Sequence, residues 1–278
     1  MRQVAISQVK FIEVNGYQIA HRIIGKGTPP LILFNRFRGT INDWDPSFIS
    51  VLSKKNKVIV FDNLGVGSTI GQSSNTIEGM AEVAKGFIDK LGLKSVNVLG
   101  WSMGGLVAQV FLLHYPDLVK KAILIGTGPG GSDKTEYPTE KFLNVATKVY
   151  DMKPEDHQTV FFTDDSSGYD HTLKSLSRIE KYKDQVPLTK PETWVPQGEA
   201  TKGFFLSDKD YFNKIKEINQ PVLVAGAKED ISFSDNNSFL LFKQIPNSQL
   251  VLYSNAAHAF HHQMPNQFGQ VVVDFLKD

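Results

Sequence analysis

The chain has 278 residues, 41% of them hydrophobic, enough to bury about three quarters of the surface its unfolded form exposes. Thirty basic residues against twenty-nine acidic ones give a formal charge of +1, and no basic stripe interleaves with aromatics, which argues against a nucleic-acid partner. The absence of cysteine excludes disulfides, thiolate-bound metals and a thiol nucleophile, and no run reaches the roughly eighteen apolar residues of a membrane helix.

The N-terminal MRQVAISQVK lacks the apolar stretch of a signal peptide, so the expectation is a soluble, cytoplasmic chain, monomer or homodimer, with no membrane partner. Next come KFIEV, the hairpin signal Asn15-Gly16, YQIAHRII, punctuation from Gly25 to Pro30, and a buried strand LILF. Strands then alternate with helices: a strand over 56–62, a helix from Ile77 to Leu91, a strand over 95–100, a helix from Ser102 to Tyr115 and a strand over 121–126. These strands are continuous apolar runs, as expected for a parallel sheet covered by helices on both faces.

After Gly126 the pattern breaks. Residues 132–212 hold polar and aromatic helical stretches with no convincing strand; alternation resumes with a strand over 220–227, a helix over 236–244, a strand over 248–253 and a helix over 265–277. The expected architecture is α/β: a mostly parallel open sheet of about eight strands with helices on both faces, residues 1–131 and 213–278 forming the core and 132–212 a helical cap insertion.

Gly100-Trp101-Ser102-Met103-Gly104 fits G-x-S-x-G between a strand and a helix. Such a turn forces strained backbone on the serine, and side chains in place of the glycines would collide with neighbouring elements. It lifts the hydroxyl to the carboxyl edge of the sheet, where open α/β sheets bind ligands. The plainer alternative is a serine serving only as a helix N-cap. A nucleophilic serine needs a base, itself oriented by an acid. His258 follows the last strand at the same sheet edge; His261 and His262, just beyond, read as surface or helix-start residues. For the acid, AKEDISF offers Glu229 and Asp230 in one loop, and Asp230 is preferred because it follows the turn residues.

The chain order serine, acid, histidine, together with GWSMG, PVLVAGAKED and IPNSQLVLYSNAAH, resembles the α/β-hydrolase superfamily over residues 10–131 and 213–277. The resemblance implies Ser102, Asp230 and His258 as catalytic residues of the serine branch, with no cofactor. It also implies oxyanion donors in the backbone N–H groups of Met103 and, by position, Phe37, although Asn35-Arg36 stands where many relatives have His-Gly. Each such donor is typically worth a factor of about a hundred to a thousand in rate. RFRGT with DWDP resembles a loop in a group of bacterial α/β-hydrolases, and FDNLGVGST resembles a structural turn of the superfamily, which assigns Asp62 no chemistry. A serine at 102 argues against the dehalogenases and epoxide hydrolases of this fold, which carry an aspartate there.

Trp101, Arg36 and Arg38 are pocket candidates; an arginine fork suits a substrate carboxylate or phosphate, but pairing with Asp43 or Asp45 to stiffen the loop is the preferred reading. The run from Gly126 to Gly131 lacks the lysine-serine pair of a phosphate loop and reads as a flexible hinge into the cap, and no histidine grouping has metal-site spacing. The expected function is a serine hydrolase acting on a small ester, thioester, lactone or amide, its partner a small acyl substrate. Carbon–carbon bond hydrolysis, perhydrolysis and ligand reception with little turnover are the alternatives; aminopeptidase action is a further one, although no convincing cluster of acidic cap residues is there to grip a free amine.

Overall fold

The computed structural model describes residues 7–149, 152–181 and 187–277. Strands β1 (Lys10–Val14) and β2 (Tyr17–Ile24) form a hairpin whose turn residues, Asn15 and Gly16, both have positive φ (50° and 85°), the backbone that matches a two-residue turn to strand twist. Strands β3 (Leu31–Phe34), β4 (Val58–Phe61), β5 (Val96–Trp101), β6 (Val119–Ile125), β7 (Val222–Ala227) and β8 (Ser248–Tyr253) complete an eight-stranded sheet of order β1-β2-β4-β3-β5-β6-β7-β8. β2 runs antiparallel to β1 and β4, and every other pairing is parallel.

Alternate residues of each central strand feed two separate cores, the direct result of a period of two. Ile32, Phe34, Ile59, Phe61, Val98 and Leu124 face the layer that holds helices α2 (Ile77–Lys90) and α3 (Met103–His114). Leu31, Leu33, Val58, Val60, Leu99 and Ile123 face the layer of α1 (Pro46–Ser53) and, at the end of the chain, α11 (Pro265–Leu276). The short α1 has no counterpart in the sequence reading; its signals are Pro46 at the first helical position and Asp45, which caps it by accepting the Ser47 N–H.

Between β6 and β7 lie α4 (Glu140–Ala146), α5 (Pro154–Phe161), α6 (Ser166–Ile179), α7 (Pro191–Phe205) and the single turn α8 (Tyr211–Lys214), with no strand among the described residues of 132–212. Helices α9 (Asp235–Gln244) and α10 (Phe260–Gln263) flank β8. Among the described residues, no helix is long and apolar enough to cross a membrane.

Gly126 to Gly130 is not a flexible hinge. These residues are buried: the Gln109 amide donates to Gly128 O (3.0 Å), the Thr135 hydroxyl donates to Pro129 O (3.0 Å), and Phe204 packs on Gly130. The side chains of Gln109, Thr135 and Phe204 pack onto a run whose glycines read locally as loose.

Candidate active site

The carboxyl ends of β3, β5, β6, β7 and β8 share one sheet edge, as Phe34 pairs with Gly100, Trp101 with Ile125, Ile125 with Ala225 and Ala227 with Tyr253. Ser102 stands there between β5 and α3 at φ 57°, ψ −123°, a backbone conformation costing about 1–3 kcal/mol for a residue with a side chain. The chain can hold it because Gly100 and Gly104, two positions to either side, lack side chains. A Cβ on Gly100 would fall 2.2 Å from Gly104 O, and one on Gly104 would fall 2.1 Å from Phe34 O. The Ser102 N–H donates to Ile125 O (3.0 Å), and its own carbonyl accepts from the Gly105 N–H (2.8 Å). The side chain makes no capping bond, so the N-cap alternative is not what this serine does.

Asp230 lies in the loop after β7, buried to 5% exposure. Its Oδ1 accepts the N–H groups of Ser232 (2.8 Å) and Phe233 (2.9 Å), which turns Oδ2 to Nδ1 of His258 at 2.8 Å. A carboxylate acceptor at Nδ1 selects the tautomer protonated there and leaves Nε2 with its lone pair. Glu229, the other carboxylate of this loop, is exposed. His258 is 1% exposed and ringed by Trp101, Phe142, Phe161 and Phe233. Gly126, at φ 51°, lets the pair approach the end of β6: a Cβ there would be 3.2 Å from His258 Nδ1 and 3.5 Å from Asp230 Oδ2.

The loop after β3 is braced throughout. The Asn35 amide donates to Phe61 O (3.0 Å), and Asn35 accepts the Trp44 indole N–H (2.7 Å). Arg36 pairs with Asp43, donates to Phe37 O (2.7 Å) and lies over the Phe161 ring, its guanidinium carbon 4.8 Å from the centroid. Arg38 donates to Ala146 O (3.0 Å) and Lys148 O (2.6 Å) at the C-terminal end of α4. Both arginines therefore stiffen the loop; Asp45, the other anticipated partner, pairs with Arg178. Asp62 also holds the loop, its Oδ1 accepting the Ile41 N–H (2.7 Å) and its Oδ2 the Ser68 N–H (3.3 Å). Burial pushes its carboxyl up to about 7, against the pull of those two hydrogen bonds.

Ser102 lies where two cavities meet. One, about 440 Å³, is lined by Ser102, His258, Phe37, Arg36, Arg38 and Lys190 among others. The second, about 420 Å³, is almost wholly apolar, lined by Ser102, Met103, Phe37, Phe142, Phe205 and Phe233 among others. Trp101 lines neither: it is 1% exposed, packed beneath His258 with its indole N–H donating to His258 O (3.2 Å). The structure thus brings Ser102, His258, Met103, Phe37, Arg36 and Arg38 to one place and sets Trp101 below it.

His261 and His262 correct the sequence reading. They do open α10, but both are buried, His261 among Trp44, Phe48 and Trp101, His262 against Ser175 of α6 (Nδ1 to Oγ, 3.0 Å). Burial drives the His261 ring well below the ordinary imidazole range and His262 down to about 4. Local sequence could not show this, because the aromatic wall comes from segments far away in the chain. Phe142 and Lys190, which sequence reasoning did not single out, come from the region between β6 and β7 and carry no local signal. Among the described residues, no group of three or more His, Asp or Glu is placed to hold a metal ion.

A profile of the alpha/beta hydrolase fold family matches residues 29–265. A proline iminopeptidase of Pestalotiopsis fici is 27% identical over 266 residues, 91% of this chain and 94% of that protein. A 2-hydroxy-6-oxononadienedioate/2-hydroxy-6-oxononatrienedioate hydrolase of Cupriavidus pinatubonensis is 30% identical over 227 residues, 79% of this chain and 76% of that protein. Among solved structures, an alpha/beta hydrolase fold protein from Chitinophaga pinensis superposes with a TM-score of 0.91 at 30% identity, covering 99% of this chain and 98% of that one.

Proposed function

The chain belongs to the alpha/beta hydrolase fold family, and from that premise we propose that it is a serine hydrolase whose reaction passes through an acyl-enzyme on Ser102. Ser102 Oγ attacks the substrate carbonyl while His258 Nε2 takes its proton, and Asp230 orients the ring and stabilises the imidazolium. The N–H groups of Met103 and Phe37 donate to the oxyanion of the tetrahedral intermediate. His258 returns the proton to the leaving group, and water, deprotonated by the same nitrogen, releases the acid. The observation that carries this reading is the His258–Asp230 hydrogen bond, with His258 lining the same cavity as a serine held on a strained turn.

The substrates are small esters, thioesters, lactones or amides with the carbonyl at Ser102 and one apolar arm in the cavity of about 420 Å³. A second reading, hydrolysis of a carbon–carbon bond beside a ketone, uses the same serine. Two observations favour it: several relatives are hydrolases of 2-hydroxy-6-oxononadienedioate, a dianion, and the described lining of the other cavity carries Arg36, Arg38 and Lys190 against the single carboxylate Asp43. That balance suits an anionic arm and opposes the free amine of an aminopeptidase substrate.

The test is intact mass after exposure to a fluorophosphonate, beside Ser102→Ala and His258→Ala. One adduct on the native chain, absent from Ser102→Ala and strongly slowed in His258→Ala, is the expected result. A well-folded native chain that takes up no adduct, or equal labelling of Ser102→Ala, sinks the mechanism and leaves ligand reception.

A further inference from the structure

The α5–α6 hairpin is bonded to the loop that carries His258. The carbonyl of Phe161, the last residue of α5, accepts the N–H of Ala259 at 2.8 Å. In α6, Ser175 Oγ lies 3.0 Å from His262 Nδ1, and Arg178 donates to His262 O at 2.8 Å. Arg178 is itself fixed by Asp45, its Nε donating to Oδ2 at 2.7 Å, and Asp45 is fully buried while its Oδ1 caps α1. The Phe161 ring runs nearly parallel to the His258 imidazole, 14° apart with centroids at 6.2 Å. From the opposite element, Trp101 of β5 donates to His258 O. The segment from His258 to His262 is thus held on one side by the nucleophile's own strand and on the other by the hairpin.

α4 and α7 wall the apolar cavity, and Tyr137, Leu143 and Leu206 on its lining are 53%, 46% and 63% exposed.

We propose that the α5–α6 hairpin is a fixed buttress that keeps His258 in register with Asp230, with Arg178 as its positioning residue. This rests on the reading of His258 as the base. A misplacement of about 1 Å in a reacting group costs on the order of a hundredfold in rate, so a loop carrying the base needs such support. Arg178 suits the test because it lines neither cavity and cannot touch substrate there.

Removing Arg178 alone would leave the fully buried carboxylate of Asp45 without its partner, which could unfold the chain. The variant is therefore Arg178→Met with Asp45→Asn: asparagine still caps α1, and methionine keeps the apolar stem. Three readings are compared with the native chain: the strongly deshielded proton of the His258–Asp230 hydrogen bond, the rate of fluorophosphonate labelling, and kcat and KM on a short ester. The expected result is a proton signal broadened by exchange with water, labelling and kcat falling together by about tenfold, and KM within about twofold. Arg178→Lys, which keeps a cation between Asp45 and His262 O, restores most of the rate. A double variant with native-like signal and labelling overturns the buttress, as does a change confined to KM. If the native chain takes up no label, the reading of His258 as base falls, and the proton signal still reports whether the hairpin holds the His258–Asp230 pair.

Discussion

At the scale of single residues, the site depends on glycines where a side chain has no room. Gly104→Ala drives a Cβ to 2.1 Å from the Phe34 carbonyl, and because backbone cannot swing aside as a flexible side chain would, the turn must open. The expected outcome is loss of labelling at Ser102 with destabilisation of several kcal/mol, read by chemical denaturation. Gly203, inside α7, is the contrast: nothing lies within 4 Å of its built Cβ and its φ is not positive. Gly203→Ala is expected to stabilise by about 0.5–1 kcal/mol and leave labelling unchanged. A Gly104→Ala protein that folds and labels normally would show that the turn is softer than these distances imply.

At the scale of elements, the C-terminus of α4 depends on a residue of another segment. Arg38 places its guanidinium on Ala146 O and Lys148 O, a cation at the negative end of a helix dipole, and stacks over Trp194 of α7 at 5.1 Å. Arg38→Met is expected to speed amide hydrogen exchange through α4 while α2 and α3 stay protected; unchanged exchange in α4 would mean that packing alone holds it. The sequence announced neither partner, since carbonyl acceptors have no residue identity and lie more than a hundred positions away. What was legible follows from short-range physics. The strands showed as apolar runs because both their faces are covered, and Ser102, His258 and Asp230 stood out as candidates because each follows a strand end. α1 was missed because its eight residues follow a loop read for its arginines. The burial of His261 and the stiffness of Gly126 to Gly130 were misread because both are set by walls from remote segments.

At the scale of the whole molecule, two buried groups give stability opposite dependences on pH. Asp62 has its folded value raised to about 7, so its contribution is complete below the ordinary carboxylate range and is lost as pH rises through about 7. His262 is lowered to about 4, so its contribution is complete above pH 6.5 and is lost as pH falls toward 4. Across that window the two offset one another. Asp62→Asn removes one of them, so the stability of this variant relative to the native chain is expected to rise by a few kcal/mol between pH 4 and 7.5, as measured by urea unfolding. A difference that stays flat with pH would mean that Asp62 is ionised in the folded protein at neutral pH.

The order of the strands has a consequence for a chain still being made. Trp101, on the nucleophile's strand, and His258, whose carbonyl it holds, are 157 positions apart. A ribosome adding about 5–20 residues per second leaves Ser102 without His258, its proposed base, for roughly ten to thirty seconds after it is polymerised. On the proposed mechanism, the nascent polypeptide cannot attack an ester or thioester throughout that interval. On the same reading, reactivity at Ser102 begins only when the last strand, the histidine loop and the helix behind it have docked, and a truncated translation product with an intact serine turn is expected to show none.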